Sequence, residues 1–247
     1  YRVPRGLSVV SPPSSCPGCS SRIAPWDNVP VLSWLLLRGR CRTCRMRIPV
    51  RYPLVEAGTA AAFAVVALRF VPGVLDWTVA GTLALAAFLY LAAITVALAL
   101  IDLDVRRLPN AIVLPAYAVG AALLVPAALL MAEPGRLLSA GIGAVALAAF
   151  YLLLAVARPG GMGMGDVKLA GVLGLFLGFQ GWGALVVGAF GAFVLGGVFS
   201  LGLVLARRAG RASRIPFGPW MLAGAWVGIA AGEAIAAGYL SFIGLGD

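Results

Sequence analysis

Residues 77–104 read WTVAGTLALAAFLYLAAITVALALIDLD: a run of 25 mostly apolar residues, then two aspartates within three positions. An α-helix rises about 1.5 Å per residue, and a hydrocarbon core needs about 20 residues to cross. The run is therefore read as a membrane span, with Asp102 and Asp104 at its end. Six further apolar runs lie at 54–71, 111–131, 137–157, 167–179, 183–206 and 217–243. Together they predict an all-α polytopic membrane protein with seven transmembrane segments, the domain 54–247. Residues 1–53 form a second unit, basic and rich in Pro and Ser, and they hold all four cysteines.

Composition supports this division. The chain is 62% hydrophobic and 11% charged, against about a quarter charged in an ordinary soluble domain. There is no histidine, which excludes Ser-His-Asp and Cys-His catalysis, HExxH zinc chemistry and any His ligand. The formal charge of +10 would point to nucleic acid in a soluble domain. Here its distribution points to the lipid bilayer instead. Residues 1–53 and the loops 102–110, 158–168 and 207–216 carry 17 of the 19 cations. Those are alternate sides of a seven-segment zigzag. The other side has Arg69 and Arg136. The positive-inside rule then puts the basic side in the cytoplasm and the C-terminus outside, with no nucleic-acid partner expected. No signal peptide is visible, and a start at Tyr1 reads as a piece of a longer chain. Gly171, Gly174 and Gly178 share a helix face, and Gly188 and Gly191 begin a second small-residue stripe, as close helix packing in lipid requires.

The cysteines stand as Cys16-Pro-Gly-Cys19 and Cys41-Arg-Thr-Cys44. Two CxxC pairs at this spacing are the pattern of a four-cysteine zinc ribbon. Each pair aims two thiolates at one ion, and four thiolates close the tetrahedron, so the zinc is expected to be structural. A reducing cytoplasm argues against two disulfides, and a small unit with little core gains from a metal staple.

Asp102 and Asp166 are the candidate catalytic pair. Both fall at basic-side ends of apolar segments, where ionisable groups are costly and mark function. Two neighbouring carboxylates share one proton. The ionised one can then take a proton from water while the other donates to a peptide carbonyl. Asp166 begins the fifth segment, where the helix dipole favours an anion; Asp102 ends the second, where it does not. This makes Asp166 the expected base and Asp102 the expected acid. The fifth segment has 13 residues, about 20 Å of helix, which puts Asp166 below the membrane surface. Gly163 and Gly165 precede Asp166 and would let a substrate backbone come close. Asp104, beside Arg106 and Arg107, reads as an interfacial residue capping a helix or pairing with a neighbouring arginine.

These residues have a familiar arrangement. Gly163-Met164-Gly165-Asp166 is a GxGD element, as in intramembrane aspartyl proteases, and the stretch 161–169, through Lys168, resembles its form in bacterial prepilin (type IV leader) peptidases. The second catalytic element of that family is an Asp six positions before Leu/Ile-Pro-Asp/Asn. Asp102 stands six before Leu108-Pro109-Asn110, with Asn110 where the family more often has Asp. The segments Asn28-Val29-Pro30-Val31-Leu32-Ser33, Gly39-Arg40-Cys41 and Arg51-Tyr52-Pro53-Leu54-Val55-Glu56 resemble the cysteine region of the bifunctional members. Tyr1-Arg2-Val3-Pro4 resembles the segment just after their first helix.

The resemblance implies eight helices in the intact protein, in the bacterial inner membrane. It implies cleavage of the basic leader of type IV prepilins or pseudopilins at the cytoplasmic face by Asp102 and Asp166. It also implies N-methylation of the new N-terminus with S-adenosylmethionine, with Arg51 and Glu56 in the methylation region; for Glu56, pairing with an arginine is the other reading. Three alternatives stay open: a peptidase without methylase activity, a transporter using two carboxylates as a proton relay, and a zinc-stapled scaffold.

Overall fold

Backbone N–H and C=O groups in lipid must be satisfied within the segment, and long apolar runs achieve this as helices. The computed structural model describes residues 11, 13–74, 78–158, 160–207 and 216–245. Tyr1-Arg2-Val3-Pro4, Arg5, Trp77, and Arg208, Arg211 and Arg214 of the third basic loop lie outside the described residues. The helices are α1 (Leu32–Leu36), α2 (Arg51–Val74), α3 (Val79–Val105), α4 (Asn110–Leu130), α5 (Gly135–Ala157), α6 (Met164–Gln180), α7 (Trp182–Leu205) and α8 (Gly218–Phe242). No named strand forms among the described residues.

Among the described residues, six helices, α2, α3, α4, α5, α7 and α8, are long and apolar enough to cross a membrane. The remaining expected segment is α6, which has 17 residues, about 26 Å. It starts earlier than the apolar run because Met164, Gly165 and Asp166 join its first turn. It contacts α4, α5, α7 and α8, so it is buried nearly all round, and Leu169, Val172 and Phe176 have no exposed surface. Helix α3 also differs from the apolar run. Thr78 caps it by accepting a hydrogen bond from the Gly81 N–H at 3.1 Å. It then continues past Asp102 and Asp104 to Val105, where Arg106 takes a left-handed conformation at φ 52°. Both aspartates are thus inside the last helical turn.

Small residues set the closest packing. A Cβ on Gly174 would overlap the Gly143 carbonyl oxygen of α5, and one on Gly178 the Ser139 carbonyl. In the second pair, a Cβ on Gly228 of α8 would lie 2.5 Å from the Ala184 carbonyl oxygen of α7. Helices α5/α6 and α7/α8 therefore form two intimate antiparallel pairs, and α3 joins them through α4 and α8. Phe88 of α3 stacks on Phe70 at 4.7 Å and meets Phe176 of α6 edge-on at 5.6 Å.

Residues 13–50 have almost no apolar core, and their order comes from two matching knuckles. Single antiparallel bridges, Ser15–Arg22 and Arg40–Arg47, close a loop around each CxxC pair. The residue after each pair, Ser20 and Arg45, is left-handed, at φ 56° and 61°. Ser20 and Arg45 N–H groups donate back to the Cys16 and Cys41 carbonyls at 2.8 and 3.1 Å.

If the α5/α6 contact depends on bare backbone, Gly174→Ala will lower thermal stability in detergent, by about 1–3 kcal/mol as expected for overpacking. Gly141→Ala, whose Cβ meets nothing within 4 Å, will leave the melting temperature unchanged.

Candidate active site and metal centre

The ends of α3, α4, α6 and α8 meet on one side of the bundle. There a cavity of about 370 Å³ is lined by Asp102, Arg106, Arg107, Leu108, Gly163, Gly165 and Asp166, among others. The structure thus brings together the two aspartates that the sequence singles out. Asp102 is 5% exposed. Its Oδ2 accepts a hydrogen bond from the Gly218 N–H at 3.1 Å. Hydrogen bonds to charged groups are worth about 1.5–3 kcal/mol, enough to fix this side chain. Asp166 lies in the first turn of α6, and its Oδ2 accepts from the Gly163 N–H at 3.0 Å.

The dipole asymmetry expected between the two aspartates does not survive in tertiary structure. Asp102 ends α3, but Gly218 is the first residue of α8, so Asp102 also faces a helix N-terminus. Each carboxylate therefore takes a backbone N–H from a helix start. What separates them is access: Asp102 is buried, and Asp166 is partly exposed.

Gly218 is the residue that sequence reading missed. A Cβ there would lie 2.7 Å from Asp102 Oδ2, so only glycine admits the carboxylate. The signal was present in Phe217-Gly218-Pro219, because Pro favours the first helical turn and such turns bind anions. Gly165 lines the cavity and also packs against the α3–α4 loop. The side chain of Leu108 fills the space beside it, with Leu108 Cβ 3.0 Å from where a Gly165 Cβ would stand. The glycine admits the Leu108-Pro109-Asn110 loop.

Lys168 Nζ donates to Asn110 Oδ1 at 3.1 Å, joining α6 to α4. Asp104 is gripped by Arg51, with Arg51 Nη1 and Nη2 at 2.9 and 2.7 Å from its two oxygens. An arginine from the start of α2 thus holds Asp104, and Arg106 and Arg107 line the cavity. Glu56 Oε2 accepts from the Val31 N–H at 2.6 Å. So the first turns of α2 are joined to the cysteine unit by Glu56 and to α3 by Arg51.

The four cysteine Sγ atoms lie within 4.8 Å of one another, with Cys16 and Cys44 at 3.7 Å. Tetrahedral zinc with bonds of about 2.3 Å needs sulfurs about 3.8 Å apart, so Cys16, Cys19, Cys41 and Cys44 fit the ion. The N–H groups of Cys44 and Thr43 point at the Cys41 sulfur and pull this thiol down to about 6. Cys41 is then a thiolate at neutral pH, the form a metal binds. Purified protein is expected to carry one zinc per chain by elemental analysis, and Cys16→Ser to carry much less.

Comparison with known proteins gives two family matches, one after the other along the chain. Residues 1–70 match the Bacterial Peptidase A24 N-terminal domain, and residues 88–201 match the Type IV leader peptidase family. A prepilin leader peptidase/N-methyltransferase of Aeromonas salmonicida is 37% identical over 96% of this chain and 77% of its own. Proteins of the same name in Pseudomonas aeruginosa and Bacillus subtilis are 33% and 30% identical, over 96% and 97% of this chain and 78% and 90% of theirs. No solved structure gives a significant match. With two domain matches in order and relatives aligned over nearly its whole length, the chain belongs to the type IV leader peptidase family.

Proposed function

We propose that this protein is an aspartyl endopeptidase that removes the basic leader from type IV prepilin-like substrates. The observation that carries the reading is the convergence of Asp102 and Asp166 on one cavity at one end of a membrane bundle. Asp166, the more open of the two, takes a proton from water as the water oxygen bonds to the scissile carbonyl carbon. Asp102 gives its proton to the carbonyl oxygen. On collapse the C–N bond breaks, Asp166 passes its proton to the departing amine, and Asp102 recovers its own from the diol. Gly163 and Gly218 hold the two carboxylates through their N–H groups, and Lys168 holds α6 against α4 through Asn110. The zinc would be held by Cys16, Cys19, Cys41 and Cys44, where it would link the two knuckles and order the unit.

The cavity end carries most of the cations, and the positive-inside rule places it at the cytoplasmic face of the inner membrane, with the C-terminus outside. The names of the relatives support a second activity, N-methylation of the new N-terminus. S-adenosylmethionine would supply the methyl group. Arg51 and Glu56, which the resemblance places in the methylation region, also join the cysteine unit to the bundle.

Incubation with a prepilin-like substrate in lipid nanodiscs, read by mass spectrometry, tests the reading. Asp102→Asn and Asp166→Asn should each abolish cleavage while leaving the melting temperature close to wild type. Cleavage that survives both would sink the mechanism. A mass gain of one methyl group that depends on S-adenosylmethionine would separate the bifunctional enzyme from a peptidase alone. Gly218→Ala should slow cleavage by tenfold or more, because its Cβ displaces the Asp102 carboxylate; an unchanged rate would show that the Gly218 contact is dispensable.

A further inference from the structure

The loop between α3 and α4 brings two cations to the cavity. Arg106 and Arg107 line it together with Asp102 and Asp166. The loop is pinned on either side of Arg107. The Arg106 N–H donates to the Asp102 carbonyl oxygen at 2.9 Å, and Leu108 lies against Gly165 and Gly218. Both arginines are therefore carried on backbone that is fixed beside the two aspartates. Both are also exposed, so a peptide can reach them. The acids around them have partners of their own. Arg51 holds Asp104, and Asp102 and Asp166 accept backbone N–H groups from Gly218 and Gly163. The mechanism above uses neither arginine.

Charge decides what they can hold. Guanidinium groups stay cationic at any pH the protein meets. They repel the cations of a basic leader, so their ligand is an anion. The reaction itself makes one. Hydrolysis turns the scissile amide and one water into a carboxylate on the leader and an ammonium on the new N-terminus. The carboxylate forms on the former carbonyl carbon, beside a dyad that shares one proton and keeps one negative charge. Like charges in one site disfavour each other. Two arginines on the same cavity offset both the dyad and the product, and the guanidinium fork matches a carboxylate with paired N–H donors.

We propose that Arg106 and Arg107 form a carboxylate subsite of the cavity, which binds the new C-terminus of the released leader. This rests on the peptidase reading above. The subsite makes the leader a product inhibitor whose hold depends on its terminal charge, so cleavage slows as leader accumulates.

The test uses the full chain in nanodiscs of zwitterionic lipid at neutral pH. A fluorescent leader peptide is prepared in two forms, one ending in a free carboxylate and one in an amide. Binding is read by anisotropy, and both forms are tried as inhibitors of prepilin-like peptide cleavage. Wild type is expected to bind the acid on the order of 10-fold more tightly than the amide, with inhibition in the same order. In the double variant Arg106→Gln/Arg107→Gln the acid should weaken to the level of the amide, while the amide binds no more weakly than to wild type. Equal binding of acid and amide by wild type overturns the inference; the arginines then serve another anion, such as a lipid phosphate. An acid preference that survives in the double variant overturns it too, because the carboxylate is then held elsewhere. Loss of both forms together in the variant assigns the arginines to the fold and overturns it as well. If wild type cleaves no prepilin-like peptide, the peptidase reading fails first, and the product subsite fails with it.

Discussion

A carboxylate at the edge of a hydrocarbon layer needs hydrogen-bond donors that water does not supply. The bond from the Gly218 N–H to Asp102 supplies one, and much of the basic end of the bundle is arranged around it. It sets where α8 begins and requires glycine at that position. It also brings Leu108 between two glycines, Gly165 and Gly218, so the α3–α4 loop is packed against α6 and α8 together. Asp166 solves the same problem within its own first turn, through Gly163. Two carboxylates held by backbone donors, with no side chain in between, leave their remaining oxygens for chemistry.

The cysteine unit contributes at a distance. Its two knuckles repeat the same bridge, the same left-handed residue and the same return hydrogen bond, so one metal can order both. Arg51 and Glu56 then connect it to the bundle in opposite directions. Both the Arg51 and Asp104 side chains are about half exposed, and such pairs contribute about 1 kcal/mol or less. That is too little to hold the fold and enough to fix the last turn of α3 relative to α2. The pair acts on orientation, two residues from Asp102.

Helix α6 shows why so short and glycine-rich a segment can be central. Its glycines let α5 approach to backbone contact, and burial on every side replaces the length that a lipid-facing helix would need. Dispersion at this density, and not hydrophobic transfer, is what favours helix association in lipid.

The class of the fold, the helix order, the four candidate metal-ligating cysteines and the two candidate aspartates were all legible in the sequence. Hydrophobic length, CxxC spacing and charge alternation act locally or through simple periodicity, and each is written in consecutive residues. What was not legible depends on which ends meet. Asp102 faces the start of α8, which cancels the dipole difference expected from α3 and α6 alone. Asp104 is held by Arg51, 53 positions away. Gly165 accommodates Leu108. The sequence by itself determined the helices, the four-cysteine cluster and the acidic pair. Only the tertiary structure decided which backbone donors, cations and rings face them, because hydrogen bonds and charge pairs fall off over a few ångströms and their partners come from helices far apart in the chain.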